Sequence, residues 1–81
     1  MRVRVRLFAS LREAVGTGEF ELDLPEQASA EDAWRALIDR HPALATRRGS
    51  LSVAVNRRYS DFGVRLTAGD ELVFLPPVSG G

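Results

Sequence analysis

The group in this sequence best suited to chemistry is the carboxylate at its end, after the residues Pro-Pro-Val-Ser-Gly-Gly. Glycine has no Cβ, so Gly80 and Gly81 can enter a channel that is too narrow for any other residue. The α-carboxylate of Gly81 is ionised at neutral pH. Such a carboxylate can attack the α-phosphate of ATP and become an acyl-adenylate, from which an amine, a thiol or a persulfide can take the acyl group.

The four residues before the glycines suit a tail that reaches into another protein. Pro76 and Pro77 lack the amide hydrogen that a sheet ladder needs, and they favour an extended exit from the domain. Val78 offers one hydrophobic contact, and Ser79 is small. Six extended residues span about 20 Å. The sequence therefore predicts a terminal carboxylate held well away from the folded part of the chain.

Composition leaves the rest of the chain poor in reactive groups. It has no cysteine, and all 11 basic residues are arginine. This excludes disulfides, thiolate metal sites, cysteine nucleophiles and lysine Schiff bases. The single histidine, His41, has no catalytic partner in view and is interpreted as structural. Because there is no G-x-x-x-x-G-K-[ST] loop, ATP must be bound by another protein. We expect a chain that is not catalytic alone and binds no cofactor or metal.

Size and charge indicate one ordinary globular domain. The chain has 81 residues, 44% of them hydrophobic and 27% charged, and its formal net charge is zero. This balance argues against a nucleic-acid surface and against an anionic membrane as partner. The first ten residues alternate charge with hydrophobe and lack the apolar stretch of a signal peptide. A cytoplasmic location is expected.

Alternating hydrophobicity predicts strands over residues 2–8, 19–24, 51–56 and 71–75. The last is apolar on both faces, as expected for a strand that is central or covered on its outer side. Phe8 either continues the outer face of the first strand or turns inward where the pleat ends. That first strand places Val3, Val5 and Leu7 on the core face, and Arg2, Arg4, Arg6 and Phe8 on the other. Asn-Arg-Arg-Tyr, after the third strand, predicts a turn into a short extended piece.

Two helices are predicted between the strands. A short one over residues 9–15 ends at Gly16, which suits a left-handed C-terminal position. The main helix starts at Ser29, with Asp32 as its capping-box partner, and ends before Pro42. Its apolar stripe consists of Ala30, Ala33, Trp34, Leu37, Ile38 and His41.

These elements predict an α+β fold with a mixed sheet and one main helix packed on one face. We expect the domain to occupy residues 1–75, with a polar connection over residues 43–50, and the tail to occupy residues 76–81. The other face of the sheet must meet water or a partner. An apolar cluster there would indicate an interface. Its candidate members, at the end nearest the tail, are Phe8, Tyr59, Val73 and Leu75.

The sequence resembles the small subunits of molybdopterin synthase, which are ubiquitin-like β-grasp sulfur carriers. The resemblance covers essentially the whole chain. It rests on V-x-V-R-L-F-A-S-L-R-E-A-V-G at the start, L-S-V-A-V-N, L-T-A-G-D-E-L and the ending F-L-P-P-V-S-G-G. The ending is its most specific motif.

The resemblance implies how the tail is used. An E1-like adenylating enzyme would adenylate Gly81, which would then become a thiocarboxylate. The tail would insert into the large synthase subunit, in an expected heterotetramer, and the sulfur would build the dithiolene of molybdopterin from cyclic pyranopterin monophosphate. Gly80 and Gly81 would carry the reactive end. The implied partner-binding residues are Phe8, Tyr59, Leu75, Pro76, Pro77, Val78 and Ser79.

Three alternative functions were weighed, and the sequence differs from the family's pattern at one place. The chain could carry sulfur for the thiamine thiazole or for tRNA thiolation, or it could be a ubiquitin-like modifier of other proteins. A nucleic-acid module using the arginines of the first strand is disfavoured, because no aromatic residues interleave them. The departure is Asn-Arg-Arg-Tyr, where many relatives have a small or uncharged residue after Asn, and some an aliphatic residue in place of Tyr59. It leaves open the partner contacts near Arg57 and Arg58.

Overall fold

The computed structural model describes residues 1–77, and these form one sheet with two α-helices and a 3-10 helix. The tail residues Val78, Ser79, Gly80 and Gly81 lie outside the described residues. The division of the chain at residue 75 stays a prediction. The elements in chain order are β1 Arg2–Leu7, α1 Ala9–Val15, β2 Glu19–Asp23, α2 Ala30–Arg40, the 3-10 helix Pro42–Ser50, β3 Ser52–Val55, β4 Arg58–Ser60 and β5 Glu71–Leu75.

The strands pair in the order β2-β1-β5-β3-β4 within the described residues. β1 and β5 are parallel, and the other neighbouring pairs are antiparallel. The sheet is therefore mixed, as predicted. β5 is central, which explains why its sequence is apolar on both faces. Leu72 and Phe74 are fully buried on the helix side, and Val73 is also buried on the other.

β1 confirms the predicted alternation. Its residues Val3, Val5 and Leu7 are all buried, and Leu7 is only 1% exposed. Phe8, one residue past the strand, is 39% exposed and lies outside the buried core. Of the two interpretations of Phe8, the outward one is correct, because its backbone is still extended before the first turn of α1.

α2 begins with the predicted capping box. The Asp32 backbone N–H donates to Ser29 Oγ at 3.1 Å, and the Ser29 N–H donates to Asp32 Oδ2 at 2.9 Å. The bond from the Ser29 backbone lowers the pKa of the Asp32 carboxyl, because it stabilises the charged form. The helix ends at Arg40, before Pro42, also as predicted.

The apolar stripe of α2 packs on one face of the sheet. Trp34 is its central residue, and its ring meets the ring of Phe74 on β5 edge-on, with centroids 5.1 Å apart. The ring of Phe62 is stacked with the ring of Phe74, with centroids 6.1 Å apart. The buried stripe residues are Ala30, Ala33, Trp34 and Leu37, whereas Ile38 and His41 are half-buried.

The prediction of a polar connection over residues 43–50 is wrong in its secondary structure. Pro42–Ser50 is a 3-10 helix with the proline in its first turn. Its Leu44 is 1% exposed and belongs to the core cluster. One buried leucine between two exposed alanines makes no periodic pattern, so the sequence could not reveal that this segment packs on the domain.

Arg48 joins this 3-10 helix to two distant parts of the chain. Its Nε and Nη2 donate to Glu31 Oε1, at 3.0 and 2.6 Å, which anchors the start of α2. Its guanidinium also lies 3.4 Å from the ring centroid of Phe62, a cation–π contact. The bond from Arg48 is the main reason why the pKa of Glu31 is lowered.

The Glu31–Arg48 pair predicts a pH dependence of stability. The pKa of Glu31 is lower in the folded protein than its ordinary value of 4.5. The contribution of Glu31 to the free energy of unfolding is therefore present above pH 4.5 and is lost as the pH falls below that value. Glu31→Gln should lower the free energy of unfolding at pH 7 by about 1 kcal/mol, since both side chains are partly exposed. It should also lose less stability than the wild type between neutral and acidic pH. Urea denaturation at several pH values measures both.

The control is Glu13→Gln on the exposed side of α1, where the described structure shows no ion pair. That variant should keep the pH dependence of the wild type. An unchanged pH dependence in Glu31→Gln would contradict the assignment.

The two faces of β1 predict unequal costs for neighbouring truncations. Leu7→Ala should lower the free energy of unfolding by about 2–5 kcal/mol, because it leaves a cavity in the core. Phe8→Ala should cost less than about 1 kcal/mol, because its ring is partly in water. Chemical denaturation of both variants tests this, and equal losses would place Phe8 in the core.

Candidate functional site

The sheet has one face packed on α2 and one face that α2 does not cover, here called the open face. The register assigns side chains to it: Arg6 is opposite Val73, Val73 is opposite Ala54, and Ala54 is opposite Tyr59. All residues of such a cross-strand row share one face. The open face therefore carries Glu19, Glu21 and Asp23 of β2, Arg2, Arg4 and Arg6 of β1, Glu71, Val73 and Leu75 of β5, Ser52 and Ala54 of β3, and Tyr59 of β4.

One half of the open face is charged, and its opposite charges face each other. The arginines of β1 stand next to acidic residues of β2 and β5. Their ion pairs are Arg2–Glu21 at 3.2 Å, Arg2–Asp23 at 3.0 Å, Arg4–Glu19 at 4.0 Å and Arg6–Glu71 at 3.7 Å. The hydrogen bond to Asp23 raises the pKa of Arg2. These exposed pairs contribute little to stability, but they make this half a neutralised surface rather than a basic patch.

The other half is apolar and is called the apolar patch: Phe8, Ala54, Tyr59, Val73 and Leu75. Val73 and Ala54 form its floor and are only 8% and 7% exposed. Tyr59 is 79% exposed and Phe8 39%, so these two rings stand at its margins. The Arg6 guanidinium lies 5.4 Å from the Phe8 ring centroid and adjoins the charged half.

The structure thus brings four sequence-predicted residues, Phe8, Tyr59, Val73 and Leu75, onto one face. Sequence reasoning missed Ala54 as a member of the patch, because a small alanine between two valines gives little hydrophobic signal. The available signal was the alternation along β3. Val53 and Val55 face the core, so Ala54 between them must lie on the open face. The register places it between Tyr59 and Val73, both of which are its cross-strand partners.

The tail begins beside this patch. Because β1 and β5 run parallel, their C-terminal ends lie at the same edge of the sheet, which places Phe8 and Leu75 near each other. Pro76 follows as a half-buried residue and Pro77 as an exposed one. The predicted contact residues Val78 and Ser79, and the reactive Gly80 and Gly81, lie outside the described residues. A chain leaving β5 therefore starts at the centre of the sheet, at the margin of the apolar patch.

The remaining candidates for chemistry are structurally separate from this face. His41 terminates α2, and its backbone N–H donates to the Leu37 carbonyl at 3.0 Å. Across residues 1–77, no three His, Cys, Asp or Glu side chains are grouped so that they could hold a metal ion. Neither α1 nor α2 is long and apolar enough to cross a membrane.

Comparison with known proteins agrees with this architecture. The sequence is 42% identical to the molybdopterin synthase sulfur carrier subunit of Escherichia coli, over 98% of this chain and 99% of that protein. The crystal structure of small archaeal modifier protein 1 from Haloferax volcanii superposes with a TM-score of 0.88 at 36% identity and covers all of both chains. The fold is therefore the ubiquitin-like β-grasp that the resemblance implied.

A third relative is seen in a complex. A chain in the protein–protein complex of subunits 1 and 2 of the molybdopterin-converting factor from Helicobacter pylori superposes with a TM-score of 0.70, at 27% identity and full coverage of both chains. The model of the ThiS family matches residues 5–81, from the middle of β1 through the predicted tail. The match takes in the sheet, the helix on its inner face and the Gly-Gly ending together, so the chain belongs to the ThiS family.

Proposed function

We propose that the protein is a sulfur carrier for molybdopterin synthesis, with the sulfur held as a thiocarboxylate on Gly81. The observation that carries this proposal is the exit of the tail from the central strand, at the margin of an exposed apolar patch. The patch can dock on a partner while the tail extends into that partner's active site. Similarity over the full length to a sulfur carrier subunit of molybdopterin synthase supports molybdopterin synthesis as the pathway that receives the sulfur.

The proposed chemistry needs only the carboxyl group from this chain. A carboxylate oxygen of Gly81 attacks the α-phosphate of ATP and pyrophosphate leaves. A sulfur nucleophile at the oxidation level of hydrosulfide then displaces AMP, which leaves a thiocarboxylate. Its sulfur is transferred to cyclic pyranopterin monophosphate, and water restores the carboxylate. ATP is bound by the activating enzyme, and no cofactor is assigned to this chain.

Two partners follow from this sequence of steps. An E1-like adenylating enzyme loads the tail, and the large subunit of molybdopterin synthase, in a heterotetramer, receives the sulfur. In both complexes Phe8, Tyr59 and Leu75 supply the apolar contact. The complex from Helicobacter pylori, which contains two subunits of such a factor, supports the large-subunit partner. The proposed location is the cytoplasm. The residues assigned to the partner's channel are Pro76, Pro77, Val78, Ser79, Gly80 and Gly81.

A second candidate function is protein modification. It is favoured by the superposition on an archaeal modifier at a TM-score of 0.88. The same adenylate would then be attacked by a lysine amine of another protein, which forms an isopeptide bond as AMP leaves. This chain has no lysine, so it could be attached to others without building chains on its own side chains. A carrier for another thiolation pathway remains the third reading.

The first test concerns the chemical state of Gly81. Intact mass from the native host should show some chains heavier by one oxygen-to-sulfur exchange, localised to Gly81. Deletion of Gly81, or addition of one residue after it, should abolish molybdopterin formation and leave the denaturation midpoint unchanged. If the extended chain supports molybdopterin formation without being trimmed, the proposal fails. Recovery of the chain only in isopeptide linkage would favour the modifier.

The second test concerns the apolar patch. Phe8→Arg should weaken binding to the large synthase subunit by about tenfold or more, because it puts a charge into an apolar contact. The matched control is Ala43→Arg in the 3-10 helix, which adds the same charge at an exposed site outside the open face. It should bind as the wild type does. Calorimetry with the purified subunit measures both, and equal affinities for all three proteins would contradict the docking surface.

A further inference from the structure

The turn between β3 and β4 carries an arginine in an unusual backbone conformation. Val55 pairs with Arg58, so Asn56 and Arg57 form a two-residue hairpin turn, and both have positive φ, 51° and 70°. This is the pattern of a type I′ turn, in which Asn-Gly is the favoured sequence. Asn suits its position, but an arginine at the second position bears a steric cost that glycine avoids.

The turn is held firmly against the centre of the sheet. The Asn56 backbone N–H donates to the Glu71 carbonyl at 2.8 Å, and the Glu71 N–H donates to Asn56 Oδ1 at 3.0 Å. Asn56 Nδ2 donates to Asp70 Oδ1 at 2.9 Å. These bonds tie the hairpin to the start of β5, so Arg57 projects from a fixed base.

Positive charge at this turn has no carboxylate partner within the described part of the chain. Arg57 and Arg58 are exposed, and neither lies within 4.0 Å of an acidic oxygen there, whereas the arginines of β1 all do. Backbone strain alone would not single out this turn, because Ala9 and Gln27 also have positive φ. Here, however, the positive φ falls on an arginine itself, whereas at those two sites it falls on an uncharged residue.

The turn leads directly into a member of the apolar patch. Tyr59 follows the two arginines on β4, the edge strand, and its register partner on the open face is Ala54. Arg57 stands at the tip of the turn, and Arg58 lies on the opposite side of β4 from Tyr59. The other margin of the patch is formed by Phe8 and Arg6, and Arg6 is already paired with Glu71. Among the arginines of the strands and their hairpin turn, the ones without a carboxylate partner in the described residues are thus those at the β4 margin.

We propose that Arg57 forms a cationic rim of the apolar patch, at its β4 margin, that recognises Asp or Glu side chains on the protein docked there. This rests on the proposed function for the identity of that protein. Paired charges on the rest of the open face leave the rim as the local source of attraction. Charges at the edge of an interface act mainly on the rate of association and its salt dependence. Arg57 is then retained for recognition although its backbone conformation lowers the stability of the turn.

The test is Arg57→Gly, measured by surface plasmon resonance against the large synthase subunit at several salt concentrations. Its association rate at low salt should fall about threefold, with a flatter salt dependence and little change in dissociation rate. The same variant should raise the folding equilibrium constant about threefold, because it relieves the turn. The control, Arg40→Ser on α2, removes equal charge away from the open face and should associate as the wild type does.

Each other outcome overturns a defined part of the proposal. An unchanged association rate in the hairpin variant overturns the rim and leaves the carrier function intact. An equal fall in the α2 control indicates net charge rather than a rim. Self-association of the hairpin variant, without a change in rate, indicates that Arg57 only protects the edge strand. Failure of the wild type to bind the subunit overturns both the proposed function and the rim.

Discussion

The parallel pairing of β1 with β5 is the constraint on which the rest of the molecule depends. Val5 stands beside Leu72, and Leu7 beside Phe74, so the two central strands bury their alternate residues against the same helix. Because the strands point the same way, their C-terminal ends share one edge of the sheet. The residue after β1 and the last residue of β5 therefore lie together, where the chain leaves the domain. A slip of one residue would reverse the faces and bury the arginines of β1.

The two faces of the sheet have different physical roles. On the inner face, Trp34 of α2 forms an aromatic cluster with Phe74 of β5 and with Phe62. Burial of apolar surface between α2 and the sheet is the main source of stability. On the open face, exposed ion pairs add little stability. They balance the charge next to an apolar patch, and in doing so they define where that patch ends.

The proposed carrier function divides the work between two parts of the chain. The folded part would supply a docking face and a fixed starting point for the tail, and the enzymes proposed to bind it would supply ATP, the sulfur and the acceptor. One docking face would then serve more than one partner in turn. A small apolar patch with an unpaired arginine at its β4 margin suits that use, because apolar contacts tolerate different partners while rim charges favour orientation and speed.

The sequence by itself determined the features that depend on residues close along the chain. Ser29 with Asp32 predicted the helix cap, Gly16 the end of α1, and the apolar faces of residues 71–75 a central strand, since capping and alternation act within a few residues. Resemblance over the whole chain supplied the fold family. These local rules say nothing of which strands pair or in what register.

Tertiary structure decided what depends on distant contacts. It placed Phe8 outside the core, gathered Ala54 into the patch, and packed Leu44 in a segment that had no periodic pattern. It also brought Arg48 onto Glu31 and Phe62, which are far apart in sequence. The physical reason is that burial and ion pairing are set by which elements meet, and only the completed sheet brings these elements together.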